Sequence, residues 1–364
     1  MQRRSSAVRH NVRPKPSAAG PLIKSFKAIS YSFLGEGLMR KCVIVIIALI
    51  YSFLGINMLF AATDTWSQKA DFGGTARLAA VGFSIGNKGY IGTGFGSSEQ
   101  AQDFWEYDPV ADSWTQKADF GGTARSSAVG FSIGTKGYIG TGWDASYTYL
   151  KDFWEYDSVA NTWTRKADFG GTARIYAVGF SIGNKGYIGT GSDSSEDTQD
   201  FWEYDPVADT WTQKTNFGGS VRTYAVGFSI GSKGYVGTGI RWGAYFNDFW
   251  EYDPAADSWT QKADFGGAAR AYSVGFSIGS KGYIGTGSDG SVLTKDFWEY
   301  DPVANAWVQK PDFGGPALTT AVGFSIGTKG YIGTGTDLGP TKDFWEYSPF
   351  TPSGLPWLFL LLVD

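Results

Sequence analysis

The 364-residue chain carries a formal net charge of −4, with 51 glycines and an aromatic content of 17%. Residues 1 to 41 hold nine Lys or Arg against one acid, a balance of +8, which leaves −12 for residues 42 to 364. So acidic a body lacks the basic stripe of a nucleic-acid surface, and because Cys42 and His10 are the only cysteine and histidine, thiol, imidazole, disulfide and His or Cys metal chemistry are excluded beyond them.

Residues 1 to 38 are polar, basic and without hydrophobic period, and they read as a disordered leader, with Met39 as an alternative start. Met39-Arg40-Lys41 then opens a second segment. Val43 to Leu54 is apolar except at Tyr51 and Ser52, and Ala61-Ala62 supplies small residues before the body. Residues 39 to 62 therefore read as a signal peptide. Leu59 or Phe60 interrupts the small-x-small pattern at either cut, which leaves an uncleaved N-terminal anchor as the alternative, since Cys42 to Ala62 can just span a bilayer. Either reading places the body outside the cytoplasm: secreted, periplasmic or on the cell surface.

From residue 63 to 350 the chain is an array. The block DFWEYDPVADSWTQKADFGGTARSSAVGFSIGTKGYIGTG, starting at Asp103, recurs with a period marked by Trp66, Trp114, Trp163, Trp211, Trp259 and Trp307, at spacings of 48, 49, 48, 48 and 48. A period of that length with glycine turns and short strand-like runs predicts a β-propeller rather than a helical solenoid. In the second unit, Ser127 to Ile133, Gly137 to Thr141, Phe104 to Tyr107 and Ser113 to Lys117 are the expected strands. Gly134-Thr135-Lys136-Gly137 reads as a hairpin turn, and Asp108-Pro109-Val110-Ala111 as a turn with Pro at its second position.

The first unit begins at a fourth strand, Thr63 to Gln68, with no DFWEYD before it. The last stops after Asp343-Phe344-Trp345-Glu346-Tyr347, with a third strand and no fourth. Each end holds what the other lacks. The expected fold is all-β, a six-bladed propeller whose last blade, built from Thr320 to Ser348, is closed by the N-terminal strand. The repeated tryptophans read as core, because sixfold repetition is how packing is encoded in a repeat protein. Residues 351 to 364 form a short tail whose apolar run, Leu355 to Val363, is too short to cross a membrane.

A small-residue first strand, a second ending in Tyr138-Ile139-Gly140-Thr141-Gly142, a Glu-Tyr-Asp-Pro third strand and turn, and a Trp-bearing fourth together resemble the kelch repeat of bacterial proteins labelled galactose-oxidase-like. The resemblance covers residues 63 to 350. It departs where the usual glycine doublet is Gly-Thr-Gly, a change the turn is expected to absorb. The copper-radical chemistry it implies needs paired histidines and a cysteine-linked tyrosine, and the repeats contain neither residue. No cofactor is expected. Glu106, Asp108 and their copies recur from blade to blade, so they read as turn and rim groups rather than a catalytic pair.

What distinguishes one copy from another is where a function can reside. The segments after each Gly-Thr-Gly vary most: 95 to 102, 143 to 151, 192 to 199, 240 to 247, 288 to 295 and 336 to 342. They join the second strand to the third, on the face that also receives the start of each first strand. There lie Arg77, Arg125, Arg174, Arg222 and Arg270, with Leu318 in the sixth unit, followed in three units by Tyr176, Tyr224 and Tyr272. In kelch-type substrate adaptors similarly placed arginines hold acidic peptides, so the resemblance implies an anion-tolerant recognition mouth. The alternative is a structural ion pair with the Asp of each Lys-Ala-Asp-Phe segment. Within a unit the two are not lost together: Asn216 accompanies Arg222, and Asp312 accompanies Leu318.

Trp143, Tyr147, Trp242 and Tyr245 are loop aromatics suited to sugars or peptides, and Asp193, Glu196 and Asp197 are a weak calcium candidate. The expectation is an exported, non-catalytic binding module for a protein or glycan. A carboxylate-dependent carbohydrate-active enzyme and a purely structural envelope repeat are the alternatives.

Overall fold

The computed structural model of the chain describes residues 63 to 350, so the leader, the signal or anchor segment and the C-terminal tail lie outside the described residues. Those residues form six four-stranded antiparallel sheets around an axis. Blade 1 comprises Val81–Ile85, Lys88–Gly92, Phe104–Asp108 and Ser113–Gln116. Blades 2 to 5 repeat it from Val129–Ile133, Val178–Ile182, Val226–Ile230 and Val274–Ile278. Blade 6 comprises Val322–Ile326, Lys329–Gly333 and Phe344–Ser348, completed by Thr65–Gln68 from the other end of the chain.

The closing strand pairs Trp66 with Tyr347 and Gln68 with Trp345, the register that Trp114 and Gln116 take with Tyr107 and Trp105 in blade 1. First strands contact first strands all round the ring, blade 6 against blade 1 included. Most expected boundaries shift by a residue or two, and two of the shifts share one reason. The first strand of blade 2 begins at Val129 rather than Ser127, and its second ends at Gly140 rather than Thr141. Ser127 and Thr141 both turn to positive φ, 58° and 62°, and leave the β region there.

The hairpin between first and second strands is a two-residue turn, with φ +59° at Gly134 and Ile133 opposite Lys136. Positive φ at its first residue alone is the pattern of a type II′ turn, which matches strand twist.

The core lies between blades. Between blades 1 and 2, Val81, Phe83, Tyr90, Phe104, Ile139 and Tyr156 are buried together, with Trp163 packed against them. Trp163 meets Phe104 at 5.0 Å and Phe120 at 5.0 Å edge to face, and donates its indole N–H to the Ala118 carbonyl at 3.2 Å. Such contact needs bare backbone on the facing strand: a Cβ on Gly137 would lie 2.5 Å from the Phe83 ring.

Candidate functional site

The five arginines take the structural ion-pair role that the sequence leaves as the alternative to a recognition mouth. Arg77, Arg125, Arg174, Arg222 and Arg270 are 0 to 1% exposed. In Arg77, Nη1 and Nη2 bind Asp103 at 2.6 and 2.8 Å, Nη1 also donates to the Thr93 carbonyl, and Nε and Nη2 donate to Thr75. All five N–H donors are used. The plane rests on Phe72, 4.8 Å from its centroid. The same fork joins Arg125 to Asp152, Arg174 to Asp200, Arg222 to Asp248 and Arg270 to Asp296. Guanidinium groups so enclosed are sealed from a ligand.

Its partner is the Asp that opens DFWEYD, not the Asp of Lys-Ala-Asp-Phe. That carboxylate also accepts an indole N–H, as Asp103 does from Trp105 at 2.7 Å. Burial alone would raise Asp103, Asp152, Asp200 and Asp296, but the Arg bonds and charge outweigh it and hold all four below the usual range. Blade 6 lacks the cation. Leu318 is fully buried in its place, burial with Asp71 and Asp337 nearby pushes Asp343 up, and the Trp345 indole N–H has no partner.

Two residues after each Arg position the backbone does something periodicity did not foretell. Ala79, Ser127, Tyr176, Tyr224, Tyr272 and Thr320 all have positive φ, between 51° and 62°. Ser127 N donates to Ala79 O, Tyr176 N to Ser127 O, Tyr224 N to Tyr176 O, Tyr272 N to Tyr224 O, Thr320 N to Tyr272 O, and Ala79 N to Thr320 O, at 3.0 to 3.2 Å. This is a closed ring of six hydrogen bonds around the axis. It demands a left-handed residue from every blade, and for tyrosine or β-branched threonine that conformation is strained.

The ring rims a cavity of about 160 Å³ at the mouth of the central channel. Half the rim is aromatic: Tyr176 stacks on Tyr224 at 3.8 Å, and Tyr224 meets Tyr272 at 4.0 Å. The other half, Ala79, Ser127 and Thr320, is small. Burial, then the neighbouring Tyr176 hydroxyl, pushes the Tyr224 hydroxyl far up, so it stays neutral. The first strand's start lies opposite the second strand's end, Val81 against Gly92, so mouth and variable loops share a face.

The loop aromatics divide. Trp143 donates its indole N–H to Ser126 at 2.6 Å and lies 6.4 Å from Tyr176, extending the aromatic arc. Tyr245 packs against Gly290 of the next loop, and Tyr147 is 71% exposed. Trp242, 87% exposed, tips the hairpin Ile240–Arg241 and Ala244–Tyr245, with positive φ at both Trp242 and Gly243 as in a type I′ turn. The Arg241 guanidinium lies 4.0 Å over its ring.

The calcium candidate is also corrected. Asp193 accepts from Ser195 N, Ser195 Oγ and Glu196 N, and its other oxygen meets Thr172. Burial would raise it, but these bonds hold its pKa at about 2. The carboxylate caps its own loop. Among the described residues no three potential ligands, Glu196 and Asp197 included, converge on a point.

Ala79, Ser127, Thr320 and Arg241 are not among the binding candidates the sequence offers. The small half of the mouth had a usable signal, since the second position after each Arg varies. No protein-family model matches the chain, and no curated protein matches it. Among solved structures it is similar to that of YjhT, with a TM-score of 0.62 at 15% identity over 76% of this chain and 96% of the other. At that identity the likeness shows the fold.

Proposed function

We propose that this propeller is an exported, non-catalytic binding module that takes a glycan or protein on the face bearing the variable loops. One observation carries this reading: the blades are near-copies elsewhere, and their departures gather around one mouth, where three tyrosines are held in left-handed backbone beside a cavity. Flat aromatic surface collected at one concave point favours ligand recognition. The ligand is not held by an arginine ring, and an acidic peptide loses its argument with it.

Catalysis has less support. The carboxylates that recur are spent on Arg, Lys, Tyr and turn amides, as Glu106 is on Tyr90 at 2.6 Å and Asp108 on Lys88 at 2.6 Å. Screening the full chain against glycan and peptide arrays, with and without calcium, tests the reading. Reproducible binding without turnover is expected. No binding on any array favours a purely structural repeat, and turnover of a bound glycan favours an enzyme.

A further inference from the structure

We propose that the mouth cavity is a subsite for one neutral pyranose ring, seated against the small half of the rim; this rests on the binding-module reading above. Size comes first. At about 160 Å³ the cavity falls below the ~300–1,000 Å³ of drug-sized pockets, so it takes a single ring rather than an extended segment.

Chemistry narrows the class. No residue lining the cavity is charged, and burying an unpaired carboxylate or ammonium against such a wall is costly. The polar side-chain groups offered are hydroxyls, from the three tyrosines and Ser127, with Thr320 and Ser273 offering acceptance only, since their protons go to the Thr319 and Thr286 carbonyls. A hydroxyl both donates and accepts, which matches the hydroxyls of a sugar. At the rim itself the six backbone N–H groups already donate within the closed ring, which leaves side-chain hydroxyls to do the donating there. Tyr272 ends the aromatic arc, tilted 49° to Tyr224, and its ring lines the cavity as a surface on which sugar C–H groups rest.

The repeat supplies its own blocking variant. Ser127 has φ 58° at the ring position where Tyr176 has φ 56°, so Ser127→Tyr places in blade 2 a side chain that blade 3 already accepts. Ligand-observed NMR and calorimetry on the full chain would use methyl glucopyranoside, methyl galactopyranoside, methyl mannopyranoside and glucuronate. At least one methyl glycoside should bind at about millimolar Kd, glucuronate should bind no tighter, and Ser127→Tyr should weaken the glycoside by about tenfold or more at unchanged melting temperature.

If no methyl glycoside binds, if binding survives Ser127→Tyr, or if glucuronate binds tighter, the subsite assignment is wrong. Array binding that persists in Ser127→Tyr but falls in Trp242→Ala would retain the module and discard the subsite. A Ser127→Tyr chain that melts early is replaced by Thr320→Tyr, which fills the same half from blade 6.

Discussion

Arg174 shows what a single residue does here. Its guanidinium neutralises Asp200, which also accepts the Trp202 indole N–H at 2.6 Å. Removing one member of a buried pair strands the other, at a cost of about 3–5 kcal/mol. Arg174→Ala should therefore lower the denaturant midpoint sharply, and an unchanged midpoint would return the arginines to a ligand. Blade 6 offers the converse experiment. Leu318→Arg should supply the missing cation to Asp343 and raise the melting temperature.

The pH dependence differs in sign between the two kinds of site. Asp343 sits above 3.8, its ordinary value, so the folded chain binds that proton more tightly than the unfolded chain, and the stability it gives is lost as pH rises through the folded pKa. Asp103, Asp152, Asp200 and Asp296 lie below it; their contribution is present above 3.8 and lost as pH falls. The gain from Leu318→Arg should accordingly be larger at pH 7 than at pH 3, which paired thermal melts would show.

Between elements, the blades are held by a latch in the turn from third to fourth strand. Asp209, at φ 53°, accepts from Tyr204 of its own blade at 2.7 Å and from Ala167 N of the preceding linker at 2.9 Å, while Trp211 donates to Ala167 O. Asn161 and Asn305 do the same in their blades. Asp209→Asn should therefore be nearly neutral, whereas Asp209→Ala leaves two donors unpaired and should cost about 1–3 kcal/mol in a chemical melt. At the seam the linker residue is Pro311, which has no N–H. Asp64 there pairs with Lys310 at 2.8 Å and accepts from Phe350 N at 2.7 Å, clasping the closing strand to the end of its neighbour. Asp64→Ala should speed amide exchange in Phe344–Ser348 before other blades respond.

Across the whole molecule, a repeated framework carries an unrepeated face. The Trp242 hairpin and Tyr147 project from it and support no core cluster. Replacing both by alanine should leave the melting temperature within a few degrees while reducing array binding. Loss of folding instead would assign them to structure.

Sequence by itself determined the blade count, the strands, the glycine turns and the closure by Trp66, because a period near 48 and two complementary half-blades admit one ring. It also determined which residues could vary. What only the tertiary structure decided was which of them face a ligand. Arg174 and Tyr176 lie two positions apart, yet one is sealed against Asp200 and Phe169 and the other lines the mouth. Local pattern could not separate them, since the arginine's partner lies 26 residues on and the tyrosine's orientation follows from a hydrogen-bonded ring that exists only when all six blades have closed.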